Sequence, residues 1–401
     1  MRIHFVNRFF WPAEPATAQL LLDLAESLAR GPWSVSVVAG LSAPGLPRSE
    51  THAGIHIIRI GLPMAAGQEL GRRALDFAFF HLAAMRTLWG TVKRGDVVVA
   101  LSDPPLIGIT AALIAKLRGA RLVHWVHDIY PEVVQAVTNG FAAKLVTAAL
   151  RPIRNLAWRS AAGCVTLSED MAAILKAAGV TKDRLHIVAN WAPQGLGPGD
   201  AADVRALRTR WDIGTRFVIG YSGNLGRVHD LSGVIRVAED LQSDPQFLFL
   251  FMGHGASFAA LGAAAAQREL TNVRFLPPRP RSELSVSLSV PDVHLIGLRP
   301  GCEPFVFPSK LYGATAVARP VLVLGRESSE LARIVRQNGL GAVFRPDDAA
   351  GISSHLRELA TDSATRNALS ESALRFSRAN GGAPRALTQW ESILQPLAGT
   401  R

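Results

Sequence analysis

Short runs of β-branched and aromatic residues alternate with stretches of helical hydrophobic period, and the alternation starts twice. The first round opens with a strand expected over 3–6. An amphipathic helix follows over 17–30, with Leu20, Leu21, Leu24 and Leu28 on one face, and then a strand over 35–39. A strand, a crossover helix and another strand predict parallel pairing, because the helix returns the chain to the same edge in the same direction. Further strands are expected over 55–60, 97–101, 122–126, 163–167 and 185–188. Residues 190–200, NWAPQGLGPGD, are dense in Gly and Pro and read as a linker. The rhythm then restarts, with strands expected over 217–221, 246–252, 273–276, 293–298, 320–324 and 341–344. The pattern predicts an α/β protein of two domains, each built on a parallel sheet, at 1–192 and 201–380.

Length agrees, since 401 residues exceed one ordinary core. With 48% hydrophobic and 19% charged residues, the chain is a packed globular protein and not a disordered one. Cys164 and Cys302 are its 2 cysteines, too few for a disulfide framework or a metal cluster, and they suit a reducing cytosol. The opening MRIHFVNRFF lacks the apolar core of a signal peptide, and no uncharged apolar run is long enough to cross a bilayer. A net charge of +11 suits either polyanionic partners or compositional bias toward Arg, and no nucleic-acid signature accompanies it.

The chemistry concentrates at 302–325, CEPFVFPSKLYGATAVARPVLVLG. It reads as a loop, a helix over 309–318 and a strand. Ser309 is a candidate N-cap, and Lys310 falls in the first turn. A lysine there opposes the helix dipole, which an anionic ligand would rationalise. An ordinary αβ connection is the plainer alternative.

Pro308-Ser309-Lys310-Leu311-Tyr312, followed by Arg319-Pro320-Val321-Leu322, resembles the donor-site signature of GT-B glycosyltransferases. The likeness is to family 4, among its lipopolysaccharide, O-antigen and exopolysaccharide members. It implies two Rossmann-like domains facing across a cleft, with a C-terminal segment, 384–401, packed back on the first. It also implies that this loop and helix hold the diphosphate of a nucleotide sugar. One departure stands out. Many relatives carry two glutamates with seven residues between them; here Glu303 matches the first conditionally, and Leu311 or Gly313 stands at the second.

Ser222-Gly223-Asn224-Leu225-Gly226-Arg227 is expected as a loop after a strand, where backbone can approach a phosphate and Arg227 can fork onto it. It resembles the first loop of the donor domain, although His229-Asp230 replaces a common Lys-Gly. Gly253-His254-Gly255 resembles the second loop. On the acceptor side, His127 and Asp128 in HDIYPE are the candidate catalytic pair, since a strand-end His-Asp can orient an imidazole. The segment resembles a signature of the same subgroup. His124 lies on the other phase of its strand, and Glu132 either joins the site or simply begins a helix.

No Ser/His/Asp order, zinc spacing or Walker loop is present. The resemblance implies a retaining transferase without bound metal or cofactor, the nucleotide sugar, UDP-linked, being a substrate. Its implied acceptor is a glycan or polyprenyl-diphosphate-linked sugar. A sugar-nucleotide epimerase of the same fold and a non-catalytic partner subunit are the alternatives. Two basic, apolar helical segments, 71–93 and 141–159, suit either a core-facing helix pair or peripheral docking on the anionic inner face of the cytoplasmic membrane. Docking requires Phe79, Phe80 and Trp89 to be at least partly exposed.

Overall fold

The computed structural model describes residues 1–13, 15–62, 70–138, 140–380 and 382–398. The side chain of Arg73 and residues 399–401 of the expected C-terminal segment lie outside the described residues. The chain divides into two compact units, Met1–Asn190 with Ala383–Arg401, and Trp191–Gly382.

The first unit holds eight strands among the described residues. These are β1 (Arg2–Val6), β2 (Ser34–Gly40), β3 (Ser49–His52), β4 (Ile55–Ile60), β5 (Val97–Ala100), β6 (Arg121–Val126), β7 (Gly163–Thr166) and β8 (Leu185–Ile187). They form one sheet in the order β3-β4-β2-β1-β5-β6-β7-β8, parallel except for β3 against β4. Phe5 pairs with Val37 on one side and Val99 on the other, and Val99 pairs with Val123. All four are fully buried, so the strands read as continuous apolar runs, as strands covered on both faces must. The crossovers include α1 (Ala16–Arg30), α2 (Leu70–Thr91), α3 (Ile107–Arg118), α4 (Glu132–Thr138) and α5 (Phe141–Ser160).

Two of these elements have no counterpart in the sequence reading. β3 is SETH, polar and mostly exposed, and is held by a hairpin whose turn residues Ala53 and Gly54 both have positive φ, 49° and 78°. α3 is an apolar run after two prolines, and such a run has no period that separates helix from strand.

The second unit carries β9 (Phe217–Asn224), β10 (Phe247–His254), β11 (Val273–Leu276), β12 (Val293–Gly297), β13 (Val321–Leu324) and β14 (Gly341–Phe344). Their order is β11-β10-β9-β12-β13-β14, all parallel. Strand order reverses beside β1 in one unit and beside β9 in the other. In open α/β sheets the crevice at such a reversal, beyond the strands' carboxyl ends, is where ligands sit.

Candidate functional site

In the second unit, β9 runs on through Ser222, Gly223 and Asn224, which the sequence reading had placed in a loop. β10 likewise runs through Gly253 to His254. The two ends stay in register, Gly223 with Gly253 and Asn224 with His254, and the Leu225 amide donates to the His254 carbonyl at 2.7 Å. Gly253 and Gly255 have φ of 148° and 131°. A Cβ at 253 would strike the Gly223 carbonyl, and one at 255 the Asn224 side chain. Close packing of the two strand ends therefore demands these glycines before any ligand does.

Ser309 does not cap. Its backbone is already helical (φ −63°, ψ −17°) and its hydroxyl accepts no amide of the first turn. Pro308 is buried before it, and the helix Lys310–Ala316 is only seven residues long. The first-turn amides are left uncapped, and an anion here would also meet a side-chain charge. Lys310 supplies one. Its Nζ donates to the Asn224 carbonyl at 3.4 Å and to His229 Nε2 at 3.3 Å, and sits 5.0 Å from the centre of the Tyr221 ring. Among the described residues no carboxylate pairs with it. Burial pushes its ammonium down to about 8. Asp230, the nearest acid in sequence to His229, turns its carboxylate to the Ser232 amide (2.9 Å) and hydroxyl (2.7 Å). Arg227 is exposed and, among the described residues, has no side-chain partner.

Glu303 is buried. Its Oε2 accepts from the Gly301 amide at 2.7 Å and from Arg326 Nη2 at 3.4 Å, while Oε1 is buried with no partner. Leu311, at one of the two positions aligned with a second glutamate, is wholly buried in the core. Gly313, at the other, is half-buried near Leu288.

In the first unit, His127 follows β6. It is 4% exposed, its ring lies 4.7 Å from that of Trp125, and its Nε2 is buried without a partner. Burial drives it down to about 3, so the ring is neutral. The Asp128 amide donates to Ser102 Oγ at 3.1 Å, just beyond β5. Burial, and then the charge of Asp103, raise Asp128 to about 7. Asp103 in turn lies 3.9 Å from Arg8, which follows β1. The His-Asp pair thus stands among groups from the ends of β1, β5 and β6, at the reversal of strand order.

Glu132 begins α4 and is not open to a ligand. Arg154 of α5 clasps it with two 2.9 Å bonds and also donates to the Tyr130 carbonyl at 2.8 Å. His124 is packed, with Nε2 3.3 Å from the Ala157 carbonyl. A cavity of about 40 Å³ touches Asp128, His124 and Arg154. It has room for water but not for a sugar.

α5 is inverted for a surface helix. Its buried residues are Thr147, Arg154, Ala157 and Trp158, while Phe141, Leu145, Val146, Ile153 and Leu156 are exposed. α3 packs against both α2 and α5 and adds exposed Leu113 and Leu117. On α2, Phe79 and Trp89 are exposed at 52% and 49%, but Phe80 is 3% exposed, contrary to expectation. Phe80 turns inward to pack beside Gly61. No described helix is long and apolar enough to cross a membrane, and no described cluster of His, Cys, Asp and Glu could hold a metal.

Residues 17–191 match the family model of a glycosyl transferase 4-like domain, and residues 203–376 match that of glycosyl transferases group 1. The chain belongs to the glycosyltransferases that these two models describe. This transferase is 27% identical over 275 residues to WbjE of Pseudomonas aeruginosa, described as a glycosyltransferase, with 68% of each chain covered. It is 29% identical over 294 residues to WcaI of Escherichia coli K12, described as a colanic acid biosynthesis glycosyl transferase, covering 70% of this chain and 69% of that one. The structure of HepE from Anabaena in complex with UDP-glucose matches with a TM-score of 0.72 at 17% identity, over 99% of this chain and 100% of that one.

Proposed function

We propose that the enzyme moves a sugar from a UDP-linked donor, with retention at the anomeric carbon, to a polyprenyl-diphosphate-linked or other glycan acceptor in bacterial cell-surface polysaccharide synthesis. The observation that carries this is Lys310, an ammonium held by neutral groups alone at the carboxyl end of the donor-side sheet. An uncompensated cation in a partly desolvated place is costly until an anion joins it, and a diphosphate supplies one. Arg227 stands free in the same segment as a second cation. Ser222, Gly223, Asn224, Gly253, Gly255, Pro308 and Ser309 shape the backbone around them, and Glu303 adds an acceptor. UDP-glucose in HepE and colanic acid synthesis by WcaI support the reading.

In the reaction the bond from the anomeric carbon to the diphosphate oxygen breaks. A bond to the acceptor oxygen forms on the same face, and the acceptor proton passes to the departing diphosphate. The two cations stabilise charge as it gathers on that leaving group, and neither metal nor cofactor enters the scheme. The neutral His127 ring keeps a buried Nε2 without a partner, which becomes a hydrogen-bonding group for the acceptor sugar once the ring is uncovered. Asp128, titrating near neutrality, can accept or return a proton close by.

The acceptor side works at the cytoplasmic face of the membrane. The exposed apolar face of α2, α3 and α5 lies beside Lys144 and Arg151, a combination suited to anionic lipid.

The test is calorimetric binding of a panel of UDP- and GDP-sugars to the full chain and to its Lys310→Ala and Arg227→Ala variants. Each variant is expected to lose about 10- to 100-fold in affinity for UDP, the range for a charged hydrogen bond. Unchanged affinity in both would overturn the donor-site assignment.

A further inference from the structure

We propose that His229 is a positioning residue for Lys310: it holds the ammonium where the donor diphosphate meets it, without touching the donor itself. The inference rests on the donor-binding role of Lys310 just proposed. His229 Nδ1 lies 3.1 Å from the Gly297 carbonyl at the end of β12, and Nε2 lies 3.3 Å from Lys310 Nζ. A carbonyl can only accept and an ammonium can only donate. The two neighbours therefore fix one tautomer, with the proton on Nδ1 and a free lone pair on Nε2. A protonated ring would lose that acceptor and set a second cation against Lys310. Burial, and then the lysine's own charge, hold the ring down at about 3, so it stays neutral.

The rest of the cradle is built the same way. The Tyr221 hydroxyl donates to the Asn224 carbonyl at 2.9 Å, and Lys310 reaches that same carbonyl. The Tyr221 ring lies under the ammonium and meets the His229 ring edge-on at 6.4 Å. Gly297 fixes the far end, since a Cβ there would strike the Asp230 carbonyl and displace the loop that carries His229. A lysine on a four-carbon stem samples many rotamers. Three neutral contacts hold this one in place yet leave its charge unspent, the condition for a preorganised anion contact.

The experiment measures UDP affinity by calorimetry in wild type, His229→Phe and His229→Gln, each with Lys310 present and with Lys310→Ala. His229→Phe keeps an aromatic edge against Tyr221 but offers no acceptor, and about a tenfold loss of UDP affinity is expected. His229→Gln can present an amide oxygen to the ammonium and is expected to recover most of the loss. In the Lys310→Ala background the Phe substitution is expected to cost nothing more, because His229 acts through the lysine. Equal losses in both backgrounds overturn the positioning role while leaving the donor reading intact. Equal UDP affinity in wild type and Lys310→Ala overturns the donor reading, and this role with it. ¹⁵N NMR of the ligand-free protein at pH 7 provides a readout that needs no nucleotide and no variant. A pyrrole-like Nδ1 and a pyridine-like Nε2 at His229 are expected, and the opposite tautomer or an imidazolium overturns the proposal.

Discussion

At the residue scale, the donor role proposed for Lys310 carries a pH dependence. Its ammonium titrates at about 8 in the free protein because burial disfavours the charge. A bound diphosphate favours the charge and so raises that value. Binding therefore takes up a proton above pH 8, and UDP affinity is expected to be level below about pH 7.5 and to fall as pH rises, by up to tenfold per unit. Calorimetry in two buffers of different ionisation enthalpy checks the proton count, and a level affinity from pH 7 to 9.5 would count against a role for the ammonium. On the acceptor side, His127→Ala is expected to cut turnover about a hundredfold, the scale of a lost acid-base or hydrogen-bonding partner, with UDP affinity unchanged. The sequence names these residues as candidates but not their settings. PSKLY marks Lys310, but only packing shows that Ser309 leaves the helix uncapped and that His229 and Asn224 hold the ammonium. Partners 81 and 86 residues away in sequence leave no local trace.

At the element scale, strands were easier to read than their ends. Buried β-branched runs mark β1, β5 and β12, but β9 and β10 continue into glycines that composition assigns to loops. They pair there because two chains without Cβ can approach edge to edge. β3 escaped because its pairing rests on a turn and not on an apolar face. Helix α5 has the clearest consequence. Phe141, Leu145, Val146, Ile153 and Leu156 face out while Arg154 faces in, paired with Glu132. On that ground the full chain is expected to sediment with phosphatidylglycerol vesicles at low salt, to release as salt rises, and to bind neutral vesicles less. Leu145→Ser with Leu156→Ser should weaken sedimentation several-fold while leaving UDP affinity alone, since both residues are exposed and belong to the first unit. Equal sedimentation of the double variant and the wild type would remove α5 from the docking face.

At the scale of the whole molecule, both units share one liability, buried neutral histidine. His124 and His127 in the first unit are held at about 4 and about 3, and His229 and His294 in the second at about 3 and about 4, in each case chiefly by burial. Once unfolded, each titrates near 6.5. Between pH 6.5 and pH 3 the unfolded chain therefore binds more protons than the folded one, and stability falls as pH falls through that window. Asp128 acts in the opposite sense. Its folded value of about 7 lies above the unfolded 3.8, so its contribution is fully present below pH 3.8 and fades as pH rises to 7. That single carboxyl stands against several histidines, since burial also lowers His4, His81, His186 and His355, so unfolding takes up protons at pH 5. Both units carry such rings, so both are expected to weaken in acid. The chain folds as two compact units, so up to two unfolding transitions are expected. The urea midpoint of every transition is expected to drop between pH 6.5 and pH 5, with the slope against pH reporting the proton uptake. His294→Gln should flatten that slope only in the second unit, because its Nε2 bond to the Leu288 carbonyl can be replaced by an amide that does not titrate. Midpoints that stay level from pH 6.5 to pH 5 would show that these rings are not held neutral in the folded protein.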